Sequence, residues 1–229
     1  MKSISFIIPA YNEETSIIRA IDAVVGYATQ HCDEYEVLVV DDGSTDKTRE
    51  LASGHASSHV QLISHAQNKG KGAAVKTGVE ASSKEWIVFL DADLSTKPED
   101  VAVFTQHTDA DIIIGSRALP DSILTKRQPK LRELQGRVFN KVIRYMLDIP
   151  FYDTQCGFKA FHKKTKHLFQ ALETSGWVFD VELLKLGQKN GYLIREVPIS
   201  WHDDPDTRVK GSDIFNILRD LHSIRGRHK

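Results

Sequence analysis

A chain of 229 residues, 41% of them hydrophobic, can bury one sizeable core and fits one or two domains. Its 30 Lys and Arg against 31 Asp and Glu leave a formal net charge of −1, which excludes a polycation that wraps nucleic acid, although local basic patches stay open. Two cysteines, Cys32 and Cys156, allow neither a disulfide framework nor a CxxC metal knuckle, and they suit a reducing, cytoplasmic setting. No run of 18 apolar residues is present to span a membrane, and Met1–Pro9 is not built like a signal peptide.

In chain order, Ser3–Ile8 reads as a strand, and a helix is expected to open at Asn12 or Glu13, with apolar residues at Ile17, Ile18, Ile21, Val24, Val25 and Ala28 at helical spacing. Glu36–Val40 is a second strand ending in Asp41-Asp42; Ser44 or Thr45 can cap the next helix, with Asp46 favourable in its first turn. A short strand at Val60–Ile63, a small-residue helix at Lys71–Ala81 and a fourth strand at Trp86–Leu90 follow. Pro98–Phe104 starts a helix with proline near its first position, and Ile112–Ile114 is a fifth strand. Strands apolar on both faces, alternating with helices, imply an α/β fold: a Rossmann-like, mostly parallel sheet covered by helices on both faces.

Beyond Arg117 the pattern changes. Residues 118–130 read as a polar, proline-containing loop, then Leu131–Leu147 as an amphipathic helix with Leu131, Leu134, Val138, Val142 and Met146 on one face. Cys156–His162 reads as a hairpin or mixed segment, Val178–Lys189 as a helix, Leu193–Trp201 as a strand and Asp213–Arg225 as a last helix. The expectation is one domain over 1–229, with 118–229 as its second half.

In such sheets ligands bind beyond the carboxyl ends of the strands. The chemistry-bearing stretches fall there: Pro9–Glu13, Asp41–Ser44, Asp91–Asp93 and Gly115–Arg117. Asp91 and Asp93, at the end of a buried strand, suit a hard divalent cation, Mg²⁺ or Mn²⁺, whose remaining ligands come from substrate phosphates. The alternative for such a pair taken alone is a helix cap plus a loop acid. Asn68–Ala74 fails the Walker pattern, and Val75 stands where G-x-G-x-x-G needs its third glycine. It remains either an unspecific anion site opening a helix or a turn with solvated lysines. Arg117 is suited either to bidentate phosphate binding or to a structural salt bridge. The ten histidines show no metal-ligand spacing.

Together, IPAYNEE (8–14), VLVVDDGSTDKT, NKGKGAAVKTG, FLDADLS, IIGSR, DTQCGFKAF, FDVELL and EVPISW resemble the family 2 glycosyltransferases of GT-A fold. The nearer likeness is to the polyprenyl-phosphate sugar synthases, in the dolichyl-phosphate β-glucosyltransferase branch. The resemblance implies that Pro9, Tyr11, Glu13 and Asp42 line the nucleotide pocket, with Asp42 near the base and Lys71 near the nucleotide. It implies that Asp91 and Asp93 flank Mg²⁺ or Mn²⁺, with Ser95 beside the metal where relatives use Gln, and that Arg117 and Arg208 face phosphate. Residues 1–117 would then form the nucleotide-sugar half and 118–229 the acceptor half. The implied chemistry is inversion at the anomeric carbon of a UDP-sugar, glucose favoured, rather than of a GDP-sugar. The acceptor would be a polyprenyl phosphate whose oxygen is already anionic; Asp153 is the candidate base if one is used. The chain departs from the R-x-x-G-S-K-L ending of relatives, with Asp213 in the lysine position, and lacks the membrane helices many of them carry. A transferase with a soluble hydroxyl acceptor and a non-catalytic nucleotide-sugar-binding protein are the alternatives.

Peripheral attachment to a membrane surface is a further expectation, with no nucleic-acid partner. Between residues 126 and 144, Lys126, Arg127, Lys130, Arg132, Arg137, Lys141 and Arg144 face a single acid, Glu133. A basic face beside an apolar one suits an interfacial helix. The last helix repeats the pattern with Ile214, Phe215, Ile217, Leu218, Leu221 and Ile224 beside Arg219, Arg225, Arg227 and Lys229. Alternatively, both stripes pack on the sheet.

Overall fold

The computed structural model describes residues 1–126, 130–202 and 213–228. Its strands are β1 (Ser3–Ala10), β2 (Glu34–Asp41), β3 (Val60–Ser64), β4 (Trp86–Leu90), β5 (Ile112–Ser116), β6 (Ile123–Lys126), β7 (Phe158–His162), β8 (Ile194–Pro198) and β9 (Ser200–His202). Its helices are α1 (Ile17–His31), α2 (Thr48–Gly54), α3 (Lys71–Ala81), α4 (Val101–Phe104), α5 (Lys130–Leu147), α6 (His167–Gln170), α7 (Phe179–Lys189) and α8 (Asp213–Arg227). Among the described residues, 7 strands form the main sheet in the order β3-β2-β1-β4-β7-β5-β8, and β6 pairs with β9 beside it. All neighbours in the main sheet are parallel except β7, which runs antiparallel to both β4 and β5.

The alternation of side chains along each strand divides the core. Phe6, Ile8, Val37, Val39 and Val88 face α1 and α4 through Ile17, Ile21, Val24, Val101 and Phe104. Ile7, Leu38, Val40, Ile87, Phe89 and Ile112 face α3, α6 and α7 through Val75, Val79, Phe169, Phe179 and Leu183. A third cluster joins α5, α7 and α8: Ile143, Leu147, Val181, Ile217, Leu221 and Ile224 are all buried. Glu182 of α7 locks the end of α8, accepting from His228 Nε2 at 3.0 Å and lying 3.4 Å from Arg227 Nη1; it also accepts from Thr174 N at 2.8 Å.

Several expected boundaries move, each for a local reason. β1 continues through Pro9, which is tolerated because the β4 ladder ends at Ile7 and the missing N–H leaves no gap there. α1 starts at Ile17 rather than at Asn12 or Glu13. The amides of residues 12–14 donate instead to Ser44 Oγ, Thr48 Oγ1 and Asp46 Oδ2, and Asn12 is left-handed at φ 55°. Ser44 and Thr45 stitch loops together rather than capping α2: their amides donate to Asp41 Oδ1 and Asn12 Oδ1. The expected loop at 118–130 contains β6. The expected strand Leu193–Trp201 divides at Ile199 into β8 and β9, which belong to different sheets. Cys156–His162 yields no hairpin, only the single central strand β7.

Candidate active site

The carboxyl ends of β1, β2, β4 and β5 open on one edge, joined there by the start of α3 and the loop before β7. At the end of β4 the chain turns sharply: Leu94 is left-handed at φ 58°, and its amide donates to Asp91 O at 3.2 Å. The turn brings Asp91 and Asp93 to one place, although adjacent alternate residues of a strand would point apart. Burial, and then the neighbouring Asp91, push the Asp93 carboxyl above its ordinary value. Ser95 donates its amide to Asp93 Oδ1 at 2.8 Å. Gly157 closes the other side: a Cβ there would lie 2.0 Å from Asp91 Oδ2, so only bare backbone leaves room for the carboxylate.

Two converging carboxylates of hard oxygen, with the Asp91 side chain 34% exposed, fit Mg²⁺ or Mn²⁺. Among the described residues no group of three or more His, Cys, Asp or Glu could hold a metal ion. Lys71, the first residue of α3, places Nζ 2.5 Å from Asp91 Oδ1. Burial alone would depress this ammonium, but Asp91 and Asp180 together hold it above the ordinary lysine range.

Behind this pair lies buried charge that the sequence reading passed over. Lys159 of β7 has no exposed side-chain surface and donates to Asp180 Oδ1 at 2.7 Å and Cys156 O at 2.5 Å. Burial pushes Asp180 up against the pull of Lys159 and Lys71.

Asp42 is buried. Oδ1 accepts from His65 Nδ1 at 2.6 Å and Lys69 N at 2.9 Å, and Oδ2 from Gly70 N at 2.8 Å. The carboxylate thus fixes the turn into α3, where Gly70 takes φ 98° and a Cβ would meet Ser175 O at 2.5 Å. Pro9 and the exposed Tyr11 lie at the β1 end, and the Glu13 carboxylate bonds Ser16 Oγ.

Arg117, expected to face phosphate, is clamped first by Asp153. Nε meets Oδ2 at 2.7 Å, Nη2 meets Oδ1 at 2.9 Å, and the Arg117 amide adds 3.0 Å to Oδ2. Trp201 lies against the guanidinium, 5.4 Å from ring centroid to Cζ. The loop carrying Asp153 is itself held by Glu196, which accepts from Asp153 N at 2.7 Å and Tyr152 N at 2.9 Å. Burial would raise the Asp153 carboxyl, but Arg117 outweighs it and holds the group below its ordinary value. A carboxylate so paired is a poor proton acceptor, which weighs against its expected role as a base. Asp91 adds to the field that keeps Arg117 charged.

Arg208 lies outside the described residues, as do Arg127, Lys229 and the side chains of Lys126, Lys130, Arg132, Glu133 and Arg137. On the described part of α5, Val138 (56%), Val142 (37%) and Tyr145 (88%) are exposed, with Lys141 and Arg144 beside them. The helix buries Ile143 and Leu147 instead, with Met146 packed against them. In α8 the described apolar residues Ile217, Leu221 and Ile224 are buried in the protein. This described part of the expected stripe is core, while the side chains of Ile214, Phe215 and Leu218 lie outside the described residues.

The sequence profile described as "Glycosyl transferase family 2" matches residues 5–169. Among curated relatives, a dolichyl-phosphate beta-glucosyltransferase of Trichomonas vaginalis is 33% identical, over 96% of this chain and 70% of that one. The dolichyl-phosphate beta-glucosyltransferase of Dictyostelium discoideum is 32% identical, over 98% and 74%. That of Homo sapiens is 31% identical, over 93% and 70%. Among solved structures, glucosyl-3-phosphoglycerate synthase from Mycobacterium tuberculosis in complex with uridine diphosphate superposes with a TM-score of 0.70 at 23% identity, covering 98% of this chain and 80% of that one. At that identity the likeness speaks for the fold alone.

Proposed function

The chain belongs to glycosyl transferase family 2, with its GT-A fold, and we propose that this glycosyltransferase moves glucose from UDP-glucose to a polyprenyl phosphate with inversion at the anomeric carbon. The observation that carries the reading is the pairing of two devices on one sheet edge. A carboxylate pair, Asp91 and Asp93, suits a cation bound to a diphosphate, and a rigid guanidinium, Arg117, suits a second phosphate. The choice of sugar and lipid rests on the relatives, whose names are those of dolichyl-phosphate glucosyltransferases. The choice of uridine is supported by a fold neighbour crystallised with Mn²⁺ and UDP-glucose.

Asp91 and Asp93 would hold Mg²⁺ or Mn²⁺, Ser95 orienting Asp93 through its amide rather than replacing it. Bound there, the cation supplies Lewis-acid neutralisation of the departing diphosphate. Asp42 and His65 hold the turn that delivers Lys71 towards the same charge, and Pro9, Tyr11 and Glu13 form the neighbouring wall for the nucleotide. Asp153 and Trp201 fix the Arg117 plane, leaving its remaining N–H donors for the acceptor phosphate. An acceptor oxygen that is already anionic needs no proton removed, in keeping with an Asp153 committed to Arg117. The outward α5 face, apolar residues beside Lys141 and Arg144, supports work at a membrane surface, and no described helix is long and apolar enough to cross one.

The test supplies UDP-[¹⁴C]glucose, Mn²⁺ and a short polyprenyl phosphate, and counts label extracted into organic solvent. Lipid-borne label that disappears with EDTA and with Asp93→Asn supports the reading. Equal transfer from GDP-sugars reverses the donor assignment, and transfer only to a water-soluble hydroxyl acceptor replaces the lipid.

A further inference from the structure

Charges of alternating sign run from the core to the site edge: Lys159, Asp180, Lys71, Asp91. Lys159 stands opposite Phe89 in the β4–β7 ladder, with Nζ 5.4 Å from that ring's centroid. A fully buried lysine is expensive unless paired, so the fold keeps Asp180 bound to it at 2.7 Å. Asp180 adds to the field that keeps the Lys71 ammonium charged. Lys71 reaches to Asp91 Oδ1 at 2.5 Å. Its reach is set by a rigid base: Gly70 N is held by Asp42, and Gly72 N donates to Ser175 O at 2.9 Å. With its side chain only 21% exposed, the ammonium is no freely waving surface lysine.

The oxygen it occupies belongs to the carboxylate that would bind the divalent cation. Ammonium and metal cannot share that oxygen without two positive charges standing within a few ångströms in a partly desolvated pocket. A donor diphosphate relieves the conflict, because it offers the ammonium other oxygens while completing the metal's shell.

We propose that Lys71 is a built-in competitor for the metal, covering Asp91 until a nucleoside diphosphate takes its ammonium over, so that metal and donor bind as a coupled pair. This rests on the assignment of Asp91 and Asp93 as metal ligands in the proposed function. The chain then discriminates against a cation arriving alone, and by reciprocity the nucleotide binds poorly without the cation.

The experiment is Mn²⁺ binding, read as loss of the free-ion electron paramagnetic resonance signal, for wild type, Lys71→Met, Lys71→Gln and Lys71→Arg, each with and without UDP. Removing the charge in Lys71→Met or Lys71→Gln is expected to tighten binding of Mn²⁺ alone by at least about tenfold and to shrink the enhancement by UDP. Lys71→Arg, which keeps the charge, should retain the wild-type pattern. The uncharged variants are run as a pair so that a folding failure of one, seen by circular dichroism, leaves the other to decide. Wild type that binds Mn²⁺ as tightly alone as with UDP overturns the proposal without any variant. Folded Lys71→Met or Lys71→Gln binding Mn²⁺ alone no better than wild type, where UDP still enhances wild-type binding, overturns the competition and leaves the metal assignment standing. Failure of wild type to bind Mn²⁺ even with UDP overturns both.

Discussion

Gly157 packs against Asp91, one of the two carboxylates proposed to hold the metal. An alanine Cβ would press on Asp91 Oδ2 at 2.0 Å, and the carboxylate, being the end of a side chain, would swing away while the fold survives. Gly157→Ala is expected to keep its melting temperature within a few degrees and to lose turnover by about a hundredfold, the usual cost of a misplaced catalytic group; an unchanged rate would remove Asp91 from the site. Glu196 acts one step further out. Glu196→Gln gives up one of the two acceptor oxygens that hold the amides of residues 152 and 153, costing about 1 kcal/mol at the Arg117 clamp. The expected readout is a several-fold rise in KM for the phosphate acceptor with KM for the donor unchanged. The placement of Asp91, Asp93 and Arg117 at the carboxyl edge of the sheet was legible in the sequence because each follows an apolar run that reads as a buried strand. Partnerships were not. Asp153 lies 36 residues from Arg117 and Lys159 lies 21 from Asp180, so only the folded path brings each pair together. A lysine inside FKAF carries no mark that it is the buried end of a charge chain. His65 had no ligand spacing to announce it, since its partner is a carboxylate on the next strand.

The parallel strands were read correctly because both their faces are apolar, which short buried strands show without ambiguity. The start of α1 was placed too early because the polar stretch Asn12–Ser16 could equally open a helix or precede one, while the amides of residues 12–14 are in fact claimed by the loop after β2. The antiparallel direction of β7 could not be read, since an apolar run has the same periodicity in either sense. The joint of α7 with α8 gives a titration prediction. Burial would raise Glu182, but His228, Thr174 and then Arg227 hold it below the ordinary 4.5. A depressed carboxylate contributes stability that is present above the unfolded value and lost as pH falls through the folded one. Wild type should therefore exceed Glu182→Gln by roughly 1.5–3 kcal/mol at pH 7, and the gap should close as the pH falls below that of ordinary glutamates. Urea midpoints across that range check it, and a gap that widens on acidification would mean that Glu182 is not the charged partner of α8.

At the scale of the molecule, α5 presents Val138, Val142 and Tyr145 outward although a core stood available to bury them. Sedimentation with anionic vesicles should carry the chain into the pellet at low salt and release it at high salt, since each basic residue near such a surface is worth roughly 1 kcal/mol. Tyr145→Glu combined with Val142→Glu should leave it in the supernatant at any salt, and pelleting of this variant would exclude α5 as the contact. The central strand has a different bearing, on how the chain comes off the ribosome. β4 and β5 are synthesised early, yet neither touches the other; β7 must arrive between them, with Val88 waiting for Ala160 and Ile113 for the same residue's other side. Translation thus passes through an interval in which two apolar strands stand with open edges, the situation that invites wrong pairing. A fragment ending at residue 117 should collect in inclusion bodies, and supplying residues 118–229 as a second polypeptide should bring it into solution by filling the slot between β4 and β5.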